Sequence, residues 1–462
     1  MIESDPDGLP NPNVGGTRRV PHLDDGTRRV PDTMLWDKVA AALAAGPAGG
    51  QAGEHWGFFV PGRIEVLGKH TDYAGGRSLV AAVERGFRLL VLPRGDGRVR
   101  ITDALSGQSV EFPLAPDLVP RGGHWSNYPM TVARRLARNF PGLAVGAHIL
   151  FASDLPPAAG LSSSSALIVG VFLALAQVNA LRERPDFPAE LHEPHILGGY
   201  LGTIENGQGF GRLAGDRGVG TFGGSEDHTA ILCAEPGRLG QFAYCPVRHE
   251  RSVPMPPDYL FAIGSSGIVA EKTGAAQERY NRAAELAAAA AREWRRQTGR
   301  DDPHLAAAIS SAPDAAGRLR AMVQDSPLAA RVEHFLIENE EIVPAAGDAL
   351  AAGDVPRFGR LVDRSQQAAE HWLGNQIPET ALLAATARRL GAAAASAFGA
   401  GFGGSVWALV ERERAERFLA AWSDAYRREF PGPAALSEFF LTDAGPPART
   451  IPTLDNPPAK GA

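Results

Sequence analysis

The segment DLPPAAGLSSSSAL, residues 154–167, constrains this chain more than any other part of its sequence. An apolar stretch at 145–156 precedes it and predicts a strand, and the apolar run at 162–181 predicts a long helix. The strand therefore passes into the helix through a tight loop of small residues. The first backbone N–H groups of a helix lack partners, and the helix dipole adds about half a positive charge there. This junction predicts a binding site for a polyphosphate.

The residues of this loop are candidates for phosphate binding. The glycine lets the backbone approach a ligand closely, and the serines add hydroxyl groups for phosphate oxygens or a metal ion. The candidates are Gly160, Leu161, Ser162, Ser163 and Ser164, with Ser165 as a further hydroxyl. The alternative is a core helix whose serines serve only as caps, because serine favours helix starts. The loop is not a Walker A loop, since no Gly-Lys-Ser/Thr follows the glycine, and the protein-kinase sequence set is missing.

Length and charge limit what else the chain can do. Its 462 residues are enough for two or three packed domains. The net charge of −6 gives no field that would attract nucleic acid or an anionic membrane. No run approaches the ~18 apolar residues that span a bilayer. Cys233 and Cys245 match no metal or redox spacing, and the N-terminus has no secretory pattern, so we expect a cytoplasmic protein.

The pattern along the chain predicts an α+β protein with loose ends. Residues 1–33 are expected to be a disordered leader, and they contain a short tandem repeat, GTRRVP. Met34 begins a helix-like stretch that could be the start of the fold. We expect one domain over 34–250, a second over 251–448 and a loose tail over 449–462. Strands are predicted at 58–68, 78–93, 258–266, 392–399, 405–410 and 437–442, and helices at 125–140, 273–298, 327–352, 354–372, 378–390 and 412–428.

Three segments in order carry a family resemblance. PGRIEVLGKHTDY at 61–73 resembles the galactokinase signature, and residues 156–167 resemble the second motif of the GHMP kinases. AFGAGFGGS at 397–405 resembles their third motif, a glycine-rich turn. The resemblance runs from about residue 56 to 448. It implies a GHMP kinase fold, with an N-terminal ribosomal-protein-S5-like domain and a C-terminal ferredoxin-like domain that enclose an active-site cleft.

The resemblance also implies roles for individual residues. Asp227 would accept or orient the proton of the sugar hydroxyl, and Arg63 would keep Asp227 ionised and offset charge on the γ-phosphate. The implied sugar-binding residues are Lys69, His70, Asp72, Gly224 and Tyr280. The implied nucleotide-binding residues are Gly160, Leu161, Ser162, Ser163, Ser164 and, bordering the adenine, Trp125. Gly401, Gly403 and Gly404 would let the backbone close over the site, and Ser164 would contact Mg²⁺. ATP and a small sugar are the expected partners, with a monomer or weak dimer as the assembly.

Plainer structural roles stay open for these residues. Asp227 could be a helix cap, Arg63 a surface ion pair, and His70 or Tyr280 a packing residue. Glu226 adjoins Asp227 and could be mistaken for the base, but the motif match favours Asp227.

Two positions depart from the family pattern and leave the sugar open. Galactokinases carry glutamate where this chain has Lys69. A lysine has three donors and no acceptor, so it would suit a carboxylate at C6 of a uronic acid. Ile168 stands where a glutamate often ligates Mg²⁺, so the ion would rest on Ser164, phosphates and water. The expected function is ATP-dependent galactokinase, with a uronate or arabinose 1-kinase or a catalytically silent sugar sensor as alternatives.

Overall fold

The computed structural model describes residues 32–45, 54–157, 159–268 and 274–453. The strands before and after residues 68–76 form a hairpin. Both are rich in β-branched and aromatic residues and are buried along nearly their whole length. This hairpin lies within the larger of two sheets. The strands are β1 (Trp56–Leu67), β2 (Arg77–Arg94), β3 (Arg98–Asp103), β4 (Ser109–Pro113), β5 (Gly146–Ser153), β6 (Arg238–Ala243), β7 (Arg248–Pro254), β8 (Tyr259–Ser265), β9 (Ala394–Phe398), β10 (Ser405–Glu411), β11 (Glu438–Thr442) and β12 (Arg449–Ile451).

The larger sheet has eight strands in the order β12-β1-β2-β5-β3-β4, with β6 pairing with β2 and β7 pairing with β6. The pair β3–β5 is parallel and the other pairs of this sheet are antiparallel. The smaller sheet has four antiparallel strands in the order β11-β8-β10-β9. Two sheets with helices packed on them confirm the α+β class.

Helices pack against both sheets. They are α1 (Asp32–Ala45), α2 (Asn127–Asn139), α3 (Ser163–Val178), α4 (Pro194–Asn206), α5 (Glu226–Cys233), α6 (Gly274–Thr298), α7 (Leu305–Ser310), α8 (Ala315–Val323), α9 (Ala329–Leu336), α10 (Val343–Ala351), α11 (Val355–Ala368), α12 (Pro378–Arg389), α13 (Ala415–Glu429) and α14 (Pro431–Ala434). One π-helical segment, Ile337–Ile342, joins α9 to α10, and another, Ala369–Leu373, follows α11. None of the described helices could cross a membrane.

The main hydrophobic core continues from the larger sheet to the smaller one. It joins side chains of α3, β5 and β10, such as Phe172, Ile149 and Trp407, all fully buried. Each such side chain contributes roughly 1.5–3 kcal/mol by leaving water. Because this core fixes α3 against β1 and β5, the helix start bearing the serines is held in a defined position.

The ends of the chain differ from expectation. Most of the predicted leader, 1–33, lies outside the described residues, and α1 begins at Asp32, two residues before Met34. The expected loose tail is wrong for Arg449–Ile451, which form β12 and pair with β1. Proline and glycine around this segment do not prevent pairing at an open sheet edge. The predicted domain boundary after residue 250 falls inside β7, a strand of the larger sheet.

Candidate active site

A bulge in β1 carries the first candidate residue. The register of β1 against β2 shifts between Pro61 and Arg63, and a bulge bends a strand and redirects the side chain that follows. Gly62 is required here, because a Cβ would lie 2.7 Å from the Leu155 side chain and 2.9 Å from the Leu161 carbonyl oxygen. The backbone N–H of Arg63 donates to that same carbonyl oxygen. The bulge therefore seats Arg63 against the serine loop.

Arg63 and Asp227 form a close ion pair although 164 positions separate them. Nε of Arg63 lies 2.7 Å and Nη2 2.6 Å from Oδ1 of Asp227, and Nη1 donates to the Gly160 carbonyl oxygen at 2.7 Å. Burial opposes the charge of Arg63, but the carboxylates of Asp227, Glu226 and Glu65 outweigh it and raise the pKa of Arg63. Arg63 thus stays a cation between the serine loop and the first turn of α5.

The serine loop meets Asp227 from the other side. Ser162 precedes α3 with a left-handed φ of 58° and donates its hydroxyl to Oδ2 of Asp227 at 2.6 Å. Ser165 also donates to Oδ2, at 3.2 Å. Ser163 and Ser164 are half-buried, and their hydroxyls bond to no other described side chain. Those two hydroxyls, together with the N–H groups of the first turn, are available to a phosphate chain.

The glycine-rich turn between β9 and β10 closes over the serine loop. Gly401, Gly403 and Gly404 have φ values of 78°, 143° and 84°, a region that favours glycine. A Cβ on Gly401 would lie 2.4 Å from the Asn375 carbonyl oxygen. Ser405 donates its hydroxyl to the Ala159 carbonyl oxygen at 2.6 Å. The turn therefore needs its glycines both for conformation and for close approach.

Four of the five sugar-binding candidates lie near Asp227. Asp72 accepts hydrogen bonds from the backbone N–H groups of Tyr73 and Glu226. A Cβ on Gly224 would lie 2.3 Å from Oδ2 of Asp72, so only glycine leaves room for that carboxylate. His70 packs its ring 5.2 Å from the ring of Tyr280.

A small pocket joins these groups. Its lining includes the predicted residues Arg63, His70, Asp72, Gly224, Asp227 and Tyr280. Trp125 lies elsewhere, before α2, where its ring packs 6.2 Å from that of Phe151. Its contact with adenine stays a prediction.

Lys69 is not brought into this pocket. Its side chain is fully buried, and its amine donates to the hydroxyl of Ser365 in α11 at 3.1 Å. Ser365 in turn donates to Glu338, which also accepts the backbone N–H of Gly68. Gly68 and His70 both have positive φ, at 108° and 57°. The chain therefore turns sharply around Lys69, and this residue is not part of the pocket lining. Its contact with the sugar stays a prediction.

Three acidic residues of the pocket were not predicted as site residues: Glu65, Glu205 and Glu226. Glu65 follows Arg63 by two positions in β1, and this spacing in a strand puts both side chains on one face. That alternation was the signal that could have revealed it. Glu205 lies in the last turn of α4 and accepts hydrogen bonds from Thr221 at 3.1 Å and Ser165 at 3.2 Å. No pattern around it in the sequence marked it as a site residue.

Burial controls the charge of two of these groups. It raises the pKa of Glu65 to about 8, although Lys69 and Arg63 lower it. Burial also raises the pKa of Glu226 well above its usual value, and the nearby carboxylates of Glu65 and Asp72 add to the effect.

Comparisons with known proteins agree with this geometry. The chain matches family models described as "GHMP kinases N terminal domain" over residues 127–193, "Galactokinase galactose-binding signature" over 49–93 and "GHMP kinases C terminal" over 348–428. Galactokinases of Roseiflexus sp. and Chloroflexus aggregans are each 30% identical to it, covering 79% of this chain and 86% of theirs. The crystal structure of Lactococcus lactis galactokinase complexed with galactose superimposes with a TM-score of 0.73 at 25% identity, over 90% of this chain and 99% of that one.

Proposed function

The chain belongs to the galactokinase family of GHMP kinases, and from this premise we propose that it transfers the γ-phosphate of ATP to the anomeric hydroxyl of galactose. The chain is a sugar kinase with the GHMP kinase fold, and GHMP kinases use ATP. The observation that carries the proposal is the position of Asp227. It lies between Arg63 and the start of α3 and lines the pocket that Asp72 and His70 share.

The same contacts support a phosphoryl transfer. The anomeric oxygen attacks the γ-phosphorus, the bond from that phosphorus to the β–γ bridging oxygen breaks, and ADP leaves. The proton of the anomeric hydroxyl passes to the carboxylate of Asp227, which orients the hydroxyl for attack. Arg63, held 2.6 Å from Asp227, supplies fixed positive charge where negative charge develops on the transferring group. The amides and hydroxyls at the start of α3 hold the phosphates in line with the hydroxyl.

The serine loop also fits a magnesium ion bound with ATP. The donors there are hydroxyl and carboxylate oxygens, which Mg²⁺ prefers. Ser164 carries a hydroxyl with no bond to another described side chain, and Glu205 reaches the neighbouring Ser165 from α4. We propose that these two residues hold the ion, with phosphate and water oxygens completing its shell. Bound there, Mg²⁺ would neutralise charge on the phosphates. Glu205 would supply the carboxylate that Ile168 cannot.

Neither alternative function gains support from the site. The uronate reading depended on a free amine at Lys69, and that amine is engaged by Ser365 outside the pocket lining. The silent-sensor reading would need a lost catalytic group, whereas Asp227 and Arg63 are both retained in contact. The predicted cytoplasmic location and the monomer or weak dimer remain predictions.

Coupled ADP release with galactose, glucose, arabinose and galacturonate tests the function. We expect turnover with galactose, and ³¹P NMR of the product should show phosphate on O1. The control is the same assay without sugar, which measures ATP hydrolysis alone. Sugar-independent ADP release, or transfer to a hydroxyl other than the anomeric one, would contradict the proposal.

A further inference from the structure

The loop between β1 and β2, residues 68–76, supplies two residues of the pocket lining, His70 and Asp72. Its backbone is constrained, because His70 has a left-handed φ of 57°, which is unfavourable for a residue with a side chain. Inside the loop, the hydroxyl of Thr71 bonds to a carbonyl oxygen at each end. An unfavourable conformation persists only where surrounding contacts hold it, so the neighbours of this loop determine where the two pocket residues lie.

Two adjacent side chains of the C-terminal half fasten the ends of this loop. The backbone N–H of Gly68, at the start of the loop, donates to Oε1 of Glu338 at 2.7 Å. The backbone N–H of Arg77, the first residue of β2, donates to Oδ1 of Asn339 at 2.6 Å. Both acceptor residues are fully buried. These two bonds tie the loop to the C-terminal helices as well as to its own strands.

Both anchors lie in the π-helical turn Ile337–Ile342, between α9 and α10. π-Helical turns are rare in proteins and frequently lie at functional sites. The chain before this turn and the chain after it are ordinary α-helix. The irregular turn is therefore confined to the short segment that contains both anchors.

The buried carboxylate of Glu338 is unfavourable for a residue that serves packing alone. Its Oε2 atom has no hydrogen-bond partner among the described residues. Its Oε1 atom also accepts the hydroxyl of Ser365 at 3.0 Å, and that hydroxyl accepts the amine of Lys69. An apolar residue of similar size would pack without the desolvation of a charged group. The bonds that Glu338 makes to the loop, directly to Gly68 and through Ser365 to Lys69, explain why a carboxylate stands here.

The helices beside this turn hold the middle of the loop. Arg331 of α9 donates to the carbonyl oxygen of His70 and, at 3.3 Å, to the hydroxyl of Tyr73. Ala74 is buried in a core cluster with Phe335 and other side chains of α6 to α9. The C-terminal helices therefore contact the loop at its centre as well as at its ends.

We propose that Glu338 and Asn339 are positioning residues for sugar binding, which hold the 68–76 loop so that His70 and Asp72 line the pocket. The proposal rests on the sugar kinase function and extends it to two residues outside the pocket lining. Without either anchor the loop takes further conformations, and the apparent affinity for sugar falls with the fraction of molecules that keep the competent one. Saturating sugar selects that conformation again, so kcat changes little. The serine loop lies on other elements, so ATP binding does not depend on the anchors.

Three variants test this role by steady-state kinetics and calorimetry with galactose and ATP. Glu338→Ala removes the acceptor for Gly68, and Asn339→Ala removes the acceptor for Arg77. We expect KM and Kd for galactose to rise about tenfold or more in both, because a backbone N–H loses its partner. The Kd for ATP should stay within about threefold, and kcat at saturating galactose within about fivefold, of the wild-type values. Glu338→Gln keeps an acceptor oxygen of the same reach and should restore the Kd for galactose to within about threefold.

Asn179→Ala is the matched control. The Asn179 side chain also bonds to the backbone, at 3.1 Å to the N–H and at 2.9 Å to the carbonyl oxygen of Val145, but it lies at the end of α3, outside the pocket lining. This variant should lower the free energy of unfolding, measured by chemical denaturation, and leave the Kd for galactose within about twofold of the wild type. If Asn339→Ala does not fold, Asn339→Ser gives the same test, because it shortens the side chain and leaves the position polar.

The outcomes separate this inference from the proposed function. A galactose Kd within about threefold of the wild type in either folded anchor variant would overturn the positioning role. Equal weakening of galactose and ATP binding would overturn it too, since that pattern indicates a general loss of structure. A galactose Kd in Glu338→Gln as weak as in Glu338→Ala would exclude the hydrogen bond to Gly68 as the cause. These results leave the kinase function standing, whereas a wild type without turnover of any sugar would overturn that function and the inference with it.

Discussion

Arg63 gives the sharpest prediction about the catalytic contact. Replacing it with methionine keeps the unbranched stem of the side chain but removes the charged guanidinium group. The substitution deletes two short contacts to Oδ1 of Asp227, at 2.7 and 2.6 Å, and one to the Gly160 carbonyl oxygen. Loss of one fixed charge or donor at a developing charge costs about 2.7–4 kcal/mol of transition-state stabilisation. We therefore expect kcat to fall by about 10²–10³-fold.

The same substitution lowers stability for a separate reason. Removing one partner of a buried ion pair costs about 3–5 kcal/mol, because the other charge remains without compensation. Asp227 is 14% exposed, so water can reach part of it, and the loss should lie near the lower value. Chemical denaturation followed by circular dichroism measures this change beside the kinetics.

Arg85 supplies the matched control. It is 4% exposed, pairs with Glu438 and lies 3.8 Å from the centre of the Phe440 ring, outside the pocket lining. Arg85→Met should reduce stability but change kcat by less than about twofold, since surface and structural substitutions away from the site act on folding. A kcat within threefold of the wild type in Arg63→Met would contradict this role of Arg63. An equal loss of kcat in both variants would also refute it.

Three further predictions concern the groups around this pair. Ser162→Ala removes a 2.6 Å hydrogen bond to Asp227. Because hydrogen bonds to charged groups contribute about 1.5–3 kcal/mol, kcat should fall about tenfold or more. A raised KM for ATP at unchanged kcat would instead make Ser162 a phosphate ligand. Gly224→Ala puts a Cβ 2.3 Å from Oδ2 of Asp72. Calorimetry should therefore show galactose affinity reduced about tenfold or more at similar ATP affinity. Unchanged galactose affinity would contradict this expectation. The folded state raises the pKa of Glu65 from 4.5 to about 8, so it binds a proton more tightly than the unfolded chain, and the free energy of unfolding should fall as pH rises across that interval. Glu65→Gln should flatten that decline, and an identical slope in the variant would exclude Glu65 as its source.

Local sequence patterns predicted the parts of the site whose structure depends on residues close to one another in the sequence. The strand, loop and helix around the serines follow from apolar periodicity and from small residues at their junction, and α3 begins at Ser163. Gly401, Gly403 and Gly404 were named from the family resemblance, and their positive φ values show why this turn favours glycine. The pairing of Arg63 with Asp227 came only from the family resemblance, since no local rule joins residues 164 positions apart.

The direction of side chains at turns was harder to predict. Lys69 was expected to reach the sugar because it lies within the signature motif. Positive φ values at Gly68 and His70 redirect the chain there, and the partner Ser365 comes from a distant helix. Glu65 shows the opposite case, because strand alternation with Arg63 would have predicted its position in the pocket. The edge strand β12 was missed because pairing at a sheet edge depends on an open neighbour, which local composition does not reveal.

Asp227→Asn isolates the role of this carboxylate as proton acceptor, because asparagine fills the same space but cannot accept the hydroxyl proton. The measurement is the single-turnover rate of phosphate transfer from γ-labelled ATP to galactose, with both affinities determined by calorimetry. We expect a rate about 10²–10⁴-fold slower, with both affinities within about threefold of the wild type. A transfer rate within threefold of the wild type, with sugar and ATP bound normally, would contradict this role of Asp227.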